Sequence, residues 1–107
     1  MDSKIQEISG HLAHCRTACN YCFDACLHEK DVQMMARCIK LDKECAEICG
    51  MTLSLVASGS GFSGTALRLC IEACEQCAAE CEKFPHDHCK ECAKVCRECA
   101  QACRAYA

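Results

Sequence analysis

Residues 15–26 read CRTACNYCFDAC, and the same spacing, C-x-x-x-C-x-x-C-x-x-x-C, returns at residues 70–81 (CIEACEQCAAEC) and 92–103 (CAKVCRECAQAC). Residues three and four positions apart are neighbours on one face of an α-helix. Each repeat therefore predicts a helix that carries one stripe of sulfur. A thinner version at Cys38, Cys45 and Cys49 predicts a fourth helix with the same kind of stripe.

The first two predicted helices are bounded by capping residues and a breaker. The first is expected to begin at Asp2 or Ser3, which suit the N-cap position, and to run to about His28. Asp31 is expected to cap the second helix. The sequence SGSG at residues 58–61 then ends that helix, because glycine and serine interrupt the helical pattern.

The third and fourth predicted helices lie on either side of the only proline. Ser63 is expected to cap the third helix, which reaches about Lys83. Pro85 separates it from the fourth, because proline cannot continue a helix interior. The fourth helix holds Cys89 and the last repeat, and it is expected to end near Tyr106.

Four amphipathic helices with short connections predict an all-α fold, an up-down-up-down four-helix bundle with a cysteine-lined core. The 107 residues are expected to form one domain, residues 1–107. Ordinary core residues are few, since the chain has three Phe, two Tyr and no Trp against sixteen Cys. Protonated cysteine packs as a small apolar side chain. Cysteine is therefore expected to supply both the core and the chemistry.

The two ends of such a bundle differ in composition. At the end that holds the termini and the Gly-Ser turn, called here the apolar end, the inner stripes are expected to continue as Ile5, Ile8, Leu12, Leu53, Val56, Phe62 and Leu67. The opposite end, called here the histidine end, is expected to hold His28, Met34, Met35, His86 and His88. Because imidazole and thioether groups bind soft metals, we expect metal to enter at the histidine end.

One position of the second stripe departs from the pattern. Position 42 lies four residues after Cys38 and three before Cys45, where the repeat would place a cysteine, but it holds Asp42. Its neighbour Leu41 is apolar. The sequence therefore favours Leu41 as the inward residue at this level.

Charge and hydropathy exclude several classes of partner. The net charge is −3, and Lys and Arg are interspersed with Asp and Glu, so no basic stripe predicts nucleic-acid binding. No apolar run approaches the roughly 20 residues that cross a bilayer, so no membrane partner is expected. Residues 1–8 lack a basic start followed by an apolar stretch. A cytoplasmic location is therefore expected, where cysteine-rich chains bind metals or do redox work.

Helical cysteine pairs favour a metal of low coordination number. Thiolates are soft ligands that suit Cu(I), Zn(II) and iron–sulfur clusters. Side chains at i, i+3 and i, i+4 start about 5–6 Å apart, so two sulfurs can close on one ion. Structural zinc takes four tetrahedral ligands. One Cu(I) per bridging thiolate leaves the core nearly neutral, which predicts a capacity on the order of 16 ions per chain. Such a surplus of ligands favours storage and a non-enzymatic protein.

The predicted metal ligands are the sixteen cysteines and two histidines next to the fourth helix: Cys15, Cys19, Cys22, Cys26, Cys38, Cys45, Cys49, Cys70, Cys74, Cys77, Cys81, Cys89, Cys92, Cys96, Cys99, Cys103, His86 and His88. For the two histidines, an exposed loop position without a metal is an equal alternative. No catalytic residues are predicted.

Other readings of the cysteines stay open. A disulfide framework fits poorly with i, i+3 and i, i+4 spacing, and the ferredoxin cysteine run is absent from the sequence. A zinc-binding buffer remains an alternative, because thiolates also bind zinc. A thiol redox protein would need one exposed thiol of low pKa, and a metallochaperone would saturate at one or two ions.

Two segments, CIKLDKECAEIC at residues 38–49 and HDHCKECAKVC at residues 86–96, resemble the cytosolic copper storage proteins of bacteria, and the resemblance covers essentially the whole chain. It implies a four-helix bundle that binds multiple Cu(I) ions through core cysteines, with histidine or other donors at the open end. It also implies a homotetramer. Members with an export signal act outside the cytosol, and this sequence resembles those without one.

Overall fold

The computed structural model describes residues 1–106, which form four α-helices: α1 (Ser3–Leu27), α2 (Ala36–Ala57), α3 (Ser63–Cys81) and α4 (Asp87–Tyr106). A short 3-10 helix, Val32–Met35, leads into α2. Each α-helix packs against two others, in the cyclic order α1, α2, α3, α4. In residues 1–106 the diagonal pairs stay more than 8 Å apart between Cα atoms. This arrangement confirms the predicted four-helix bundle.

The sulfur stripes face the long axis of the bundle. The Cα atoms extend over 44 × 19 × 18 Å, and a square cross-section fits four helices packed two by two at ordinary interhelical distances. All sixteen cysteines are buried, none more than 1% exposed. The core of this bundle is therefore made mainly of thiols, with few branched aliphatic side chains. Within residues 1–106, none of the helices combines the length and apolar character needed to cross a membrane.

Local hydrogen bonds explain two of the helix boundaries. The Asp2 carboxylate accepts a hydrogen bond from the backbone N–H of Lys4 at 2.7 Å, which confirms the predicted N-cap of α1. At the end of α2, Gly59 has φ +67°, a left-handed conformation that glycine adopts without a Cβ clash. The backbone N–H of Ser60 donates to the carbonyl of Leu55 at 2.9 Å, which closes α2 with a Schellman motif.

The predicted caps of α2 and α3 were wrong. Asp31 makes no side-chain cap bond, because the chain enters α2 through a 3-10 turn in which the N–H of Met34 donates to the Asp31 carbonyl at 3.0 Å. Ser63 is the first residue of α3 rather than its cap, and its hydroxyl donates to the Ser60 carbonyl at 2.8 Å. The helix α3 ends at Cys81, two residues before the predicted end at Lys83.

The apolar end differs in part from the prediction. Its buried members are Ile8, Leu12, Val56 and Leu67. Phe62 is 73% exposed, because it precedes the first turn of α3 and lies outside the bundle. Leu53 is only half-buried, and Thr52 takes the inner position three residues after Cys49. The Thr52 hydroxyl is satisfied by donating to the Ile48 carbonyl at 2.7 Å.

Candidate metal centre

The core sulfurs are close enough to share metal ions. Contacts between Sγ atoms range from 3.4 Å for Cys38 and Cys81 to 4.0 Å for Cys15 and Cys19. All sixteen cysteines are free thiols, and these separations far exceed the S–S bond length of about 2.05 Å. Two thiolates bound to one ion at about 2.3 Å each come within about 4.6 Å of one another. Little movement is therefore needed for neighbouring sulfurs to close on a soft ion.

The sulfurs form groups that overlap. In five of these groups, four ligand atoms lie within 4.8 Å of one another: Cys15, Cys49, Cys74 and Cys99; Cys15, Cys19, Cys45 and Cys96; Cys19, Cys77, Cys92 and Cys96; Cys22, Cys26, Cys38 and Cys89; and Cys22, Asp42, Cys81 and Cys92. Each of these five groups draws on three or four helices. Five cysteines belong to two of these groups: Cys15, Cys19, Cys22, Cys92 and Cys96. Shared membership suits sulfurs that bridge two ions.

Asp42 lies inside the sulfur core, so the prediction that Leu41 points inward was wrong. Asp42 is fully buried and Leu41 only half-buried. The position four residues after Cys38 faces the axis whatever residue occupies it, since helical phase outweighs the hydropathy of a neighbour. The 4-3-4 spacing was the signal that should have identified Asp42 as a core residue.

The Asp42 carboxyl group is held by thiols from two other helices. Its Oδ1 atom accepts hydrogen bonds from the thiols of Cys77 at 3.1 Å, Cys81 at 3.4 Å and Cys92 at 3.5 Å. Burial, together with the nearby Cys92 group, raises the pKa of Asp42 to about 8. The carboxyl group therefore carries a proton in the metal-free core over much of the neutral range.

His88 closes the sulfur core at the histidine end. Its Nδ1 atom lies 3.5 Å from Sγ of Cys22, 3.6 Å from Sγ of Cys89 and 3.8 Å from Sγ of Cys26. Its Nε2 atom lies 2.8 Å from Oε2 of Glu29. The structure thus brings His88 into contact with three of the predicted sulfur ligands. Glu29 follows the end of α1 and carries no motif, so the sequence gives no signal for its place beside His88.

His86 lies one layer further out than His88. The two rings are stacked, with centroids 5.4 Å apart and planes 5° from parallel, and the rings of Phe84 and His86 are also stacked, with centroids 6.4 Å apart. Its Nδ1 atom is 3.5 Å from Oε2 of Glu29, and its Nε2 atom is 3.6 Å from Oδ1 of Asp31. His86 therefore borders the entrance beside His88 and is surrounded by carboxylates rather than by sulfur.

The other donors predicted at this end divide into buried and exposed ones. Met35 is fully buried, whereas Met34 is 76% exposed. His28 is exposed, and its Nδ1 atom lies 2.9 Å from the carbonyl oxygen of Asp24, so it donates back into the last turn of α1. Of these three, only Met35 lies among the core residues.

Burial keeps two thiols at the histidine end, Cys26 and Cys89, in the protonated form before metal arrives. Burial is the main cause that raises the pKa of Cys89 to about 12, and burial also raises the pKa of Cys26 above the ordinary thiol range. A buried thiolate without a counter-charge is costly, so the neutral thiol is favoured in the empty core. An incoming metal ion must therefore displace protons as it binds.

A helical bundle that brings together sixteen buried free thiols, one buried carboxyl group and, at one end, one imidazole defines a protein that binds soft metal ions in quantity. The family model for copper storage proteins matches residues 1–107. The chain belongs to the copper storage protein family. Membership confirms the predictions of copper storage and of binding several Cu(I) ions.

Similar proteins and structures agree with this assignment. The cysteine-rich protein YhjQ of Bacillus subtilis strain 168, described as uncharacterized, is 44% identical over 81 residues, which cover 76% of this chain and 75% of YhjQ. The structure of the Cu(I)-bound copper storage protein BsCsp3 superposes with a TM-score of 0.93, at 39% identity over 98% of this chain and 99% of that one. A cytosolic copper storage protein from Streptomyces lividans, loaded with five coppers, has a TM-score of 0.93 at 32% identity over 96% and 91% of the two chains.

Proposed function

We propose that the sixteen core cysteines act as thiolate ligands of a Cu(I) reservoir, with Asp42 and His88 as additional donors. The observation that carries this proposal is the overlap of the four-ligand groups, in which single sulfurs such as Cys15 and Cys22 serve two groups. A bridging thiolate distributes one negative charge over two monovalent ions. The whole core can then fill as one connected cluster of copper and sulfur.

Charge balance favours Cu(I) over zinc in this core. Four zinc ions, each held by four thiolates, would leave about eight uncompensated negative charges in a buried space. One Cu(I) per thiolate leaves the core nearly neutral. The four-sulfur groups have distances that suit zinc as well, so zinc is the metal that the experiment must compare with copper.

We infer that copper enters at the histidine end and passes His86 before it reaches the sulfurs. His86 is 23% exposed in its side chain and stacks directly on His88, whose Nδ1 atom contacts three sulfurs. At the opposite end Ile8, Leu12, Val56 and Leu67 are buried and offer no soft donor. The arrangement favours transfer from imidazole to thiolate at one end only.

We propose a storage role without catalysis, carried out in the cytoplasm by a single domain spanning residues 1–107. A thiol enzyme needs an accessible sulfur of low pKa, and every cysteine here is at most 1% exposed. The Streptomyces lividans relative is described as a cytosolic protein, which supports the same location.

We also propose that the protein assembles as a homotetramer, as the family resemblance implies. A groove of about 190 Å³ between α2 and α3 supports self-association, because Leu41, Ile48, Leu69 and Ala73 line it. Leu69 is 44% exposed. Size-exclusion chromatography with light scattering measures the mass of the assembly. A mass four times that of the chain is expected, and the mass of a single chain would contradict the tetramer.

An anaerobic titration of the reduced protein tests the storage function. Cu(I) is added in the presence of a chromophoric chelator, and Zn(II) is titrated in parallel. We expect tight uptake of about 16 Cu(I) per chain, one for each thiolate, and zinc that is lost readily to the same competitor.

The control for the titration is the same protein with its thiols blocked by an alkylating agent after unfolding. Copper uptake should then disappear, which ties the capacity to sulfur. Saturation at one to four Cu(I) ions would contradict storage and indicate a metallochaperone. Zinc held more firmly than copper would indicate a zinc buffer.

A further inference from the structure

We propose that Glu29 is a positioning residue that fixes the tautomer of His88, so that the Nδ1 lone pair of His88 points at the sulfurs of the histidine end. The inference rests on the proposed role of His88 as a copper ligand. It concerns a carboxylate that contacts none of the sulfurs itself, and it explains why the imidazole is ready for metal before any metal arrives.

The hydrogen bond between the two side chains determines where the proton sits. Nε2 of His88 lies 2.8 Å from Oε2 of Glu29, which is a full hydrogen-bond distance. An ionised carboxylate can only accept, so Nε2 must carry the hydrogen and donate it. In a neutral imidazole the other nitrogen, Nδ1, then carries the lone pair.

The opposite nitrogen faces the atoms that would share a metal with it. Nδ1 lies between 3.5 and 3.8 Å from the Sγ atoms of Cys22, Cys26 and Cys89. In the metal-free protein these thiols can donate weakly to the lone pair. The reverse tautomer would direct the Nε2 lone pair at the Glu29 carboxylate, which is repulsive. Both sides of the ring therefore favour the same tautomer.

The position of Glu29 is fixed by the end of α1. Its backbone N–H donates to the carbonyl of Cys26 at 3.2 Å, so the residue follows directly from the last turn of the first sulfur stripe. Its side chain is 30% exposed, and that of His88 is 12% exposed. Through this short connection, one segment of chain places Cys26 on one side of the imidazole and the carboxylate on the other.

A carboxylate that accepts a hydrogen bond from an imidazole ligand favours metal binding by that imidazole in three ways. It holds the ring against rotation, removes the cost of selecting a tautomer, and makes the free nitrogen a stronger donor. Loss of such a partner typically weakens metal affinity about 10–100-fold. Without Glu29 the imidazole would still be present, but it would have to be reoriented and its proton moved before Nδ1 could bind copper.

Asp31 offers a matched control. It is a second carboxylate at the same entrance, and its Oδ1 atom lies 3.6 Å from Nε2 of His86. The Nδ1 atom of His88 contacts cysteine sulfurs, and its Nε2 atom contacts Glu29 rather than Asp31. The variant Asp31→Asn therefore removes a similar charge from the same surface without changing the hydrogen bond to His88.

The first measurement reads the tautomer in the reduced, copper-free protein labelled with ¹⁵N-histidine. Ring nitrogen shifts and couplings are recorded where the imidazole is neutral, and His88 is assigned by comparison with His88→Ala. Wild type and Asp31→Asn should show the Nε2–H form. Glu29→Ala should show a mixture that includes the Nδ1–H form. Glu29→Gln should restore Nε2–H, because its amide oxygen can accept.

The second measurement is competition for copper near full loading, when the sites at the histidine end compete with a chelator. Glu29→Ala should hold its weakest ion about tenfold less firmly than wild type. Glu29→Gln should recover most of this loss, and Asp31→Asn should match wild type. An unchanged tautomer in Glu29→Ala, or unchanged copper retention with an altered tautomer, would overturn the positioning role.

A failure of the proposed copper ligand can be separated from a failure of this inference. If His88→Ala retains copper as wild type does, His88 is not a ligand and the proposed function is wrong at this residue. The tautomer of His88 in the copper-free Glu29→Ala variant is measured without any metal. An unchanged tautomer there counts against Glu29 alone.

Discussion

The Oδ1 atom of Asp42 lies 3.1 Å from the Sγ atom of Cys77, and cysteines occupy the stripe positions on either side of Asp42 in α2, Cys38 and Cys45. Asp42 and Cys77 come from α2 and α3, and the carboxyl group fills the place where the 4-3-4 spacing of α2 would put a cysteine. An oxygen donor therefore interrupts the sulfur stripe halfway along the bundle. This contact determines how the empty core responds to pH and how copper fills it.

The Asp42→Asn variant should make the metal-free protein less sensitive to pH. The pKa of Asp42 is about 8 in the folded protein against an ordinary value of 3.8, so the folded state binds this proton more tightly than the unfolded state. The stability that this carboxyl group contributes is present below pH 4 and is lost as the pH rises towards 8. Asparagine stays neutral throughout. The free energy of unfolding of Asp42→Asn relative to that of wild type should therefore grow by about 5 kcal/mol across this range.

Chemical denaturation of the reduced protein at several pH values measures this difference. Glu44→Gln serves as the control, since Glu44 lies two residues away on the exposed face of α2 and its loss should leave the pH profile unchanged. Parallel profiles for wild type and Asp42→Asn would show that the buried carboxyl group does not hold a proton in the folded state.

The Asp42→Cys variant should increase the copper capacity by about one ion per chain. The substitution completes the 4-3-4 repeat in α2, and the new sulfur would face Cys77, Cys81 and Cys92, which already surround the carboxyl group. Titration with Cu(I) against a chelator counts the ions. Asp42→Asn is the matched control and should show no gain. A capacity for Asp42→Cys that equals that of wild type would indicate that this level is already filled by copper.

The fold could be predicted from sequence because spacing alone determines a helical face. Three repeats of one pattern, a capping Asp2 and a Gly59 turn were enough to place the helices and their connections. Two of the errors arose where the hydropathy of a residue was weighed against its helical phase. Leu41 and Leu53 are the more apolar neighbours of Asp42 and Thr52, yet the positions that continue the stripe are the buried ones.

The contacts at the histidine end could be predicted only in part. His88 directly precedes Cys89, and this adjacency identified it as a candidate ligand. Glu29 is 59 residues away from His88 in the sequence, in a connection without a motif, and the two meet only because α1 and α4 pack side by side. A contact of this kind depends on the bundle geometry and leaves no local signal.

Removal of a sulfur that belongs to two four-ligand groups should lower the copper capacity more than removal of a sulfur at the end of a stripe. Cys15 lies 3.8 Å from Sγ of Cys96 and 3.9 Å from Sγ of Cys74, and it belongs to two four-sulfur groups. Cys15→Ala should therefore reduce the capacity by about two ions, since a bridging thiolate serves two. Ion counts come from titration and from metal analysis of the desalted protein.

Cys103→Ala is the matched control for this prediction. Both residues are fully buried, so the two variants lose the same sulfur atom from a similarly packed site. Cys103 lies close to the end of the last stripe, so Cys103→Ala should reduce the copper capacity by about one ion. Equal losses for the two variants would contradict the bridging arrangement.

Replacement of the soft donors at the histidine end should slow copper uptake while leaving the capacity nearly intact. The combined variant His86→Ala/His88→Ala should load about tenfold more slowly from a Cu(I)–chelator donor, because Nδ1 of His88 contacts the first sulfurs. Stopped-flow absorbance measures the rate. Met34→Ala should have no effect, since Met34 is 76% exposed. His11→Ala, half-buried at the apolar end, is a second control. Wild-type loading kinetics in the double variant would show that copper enters elsewhere.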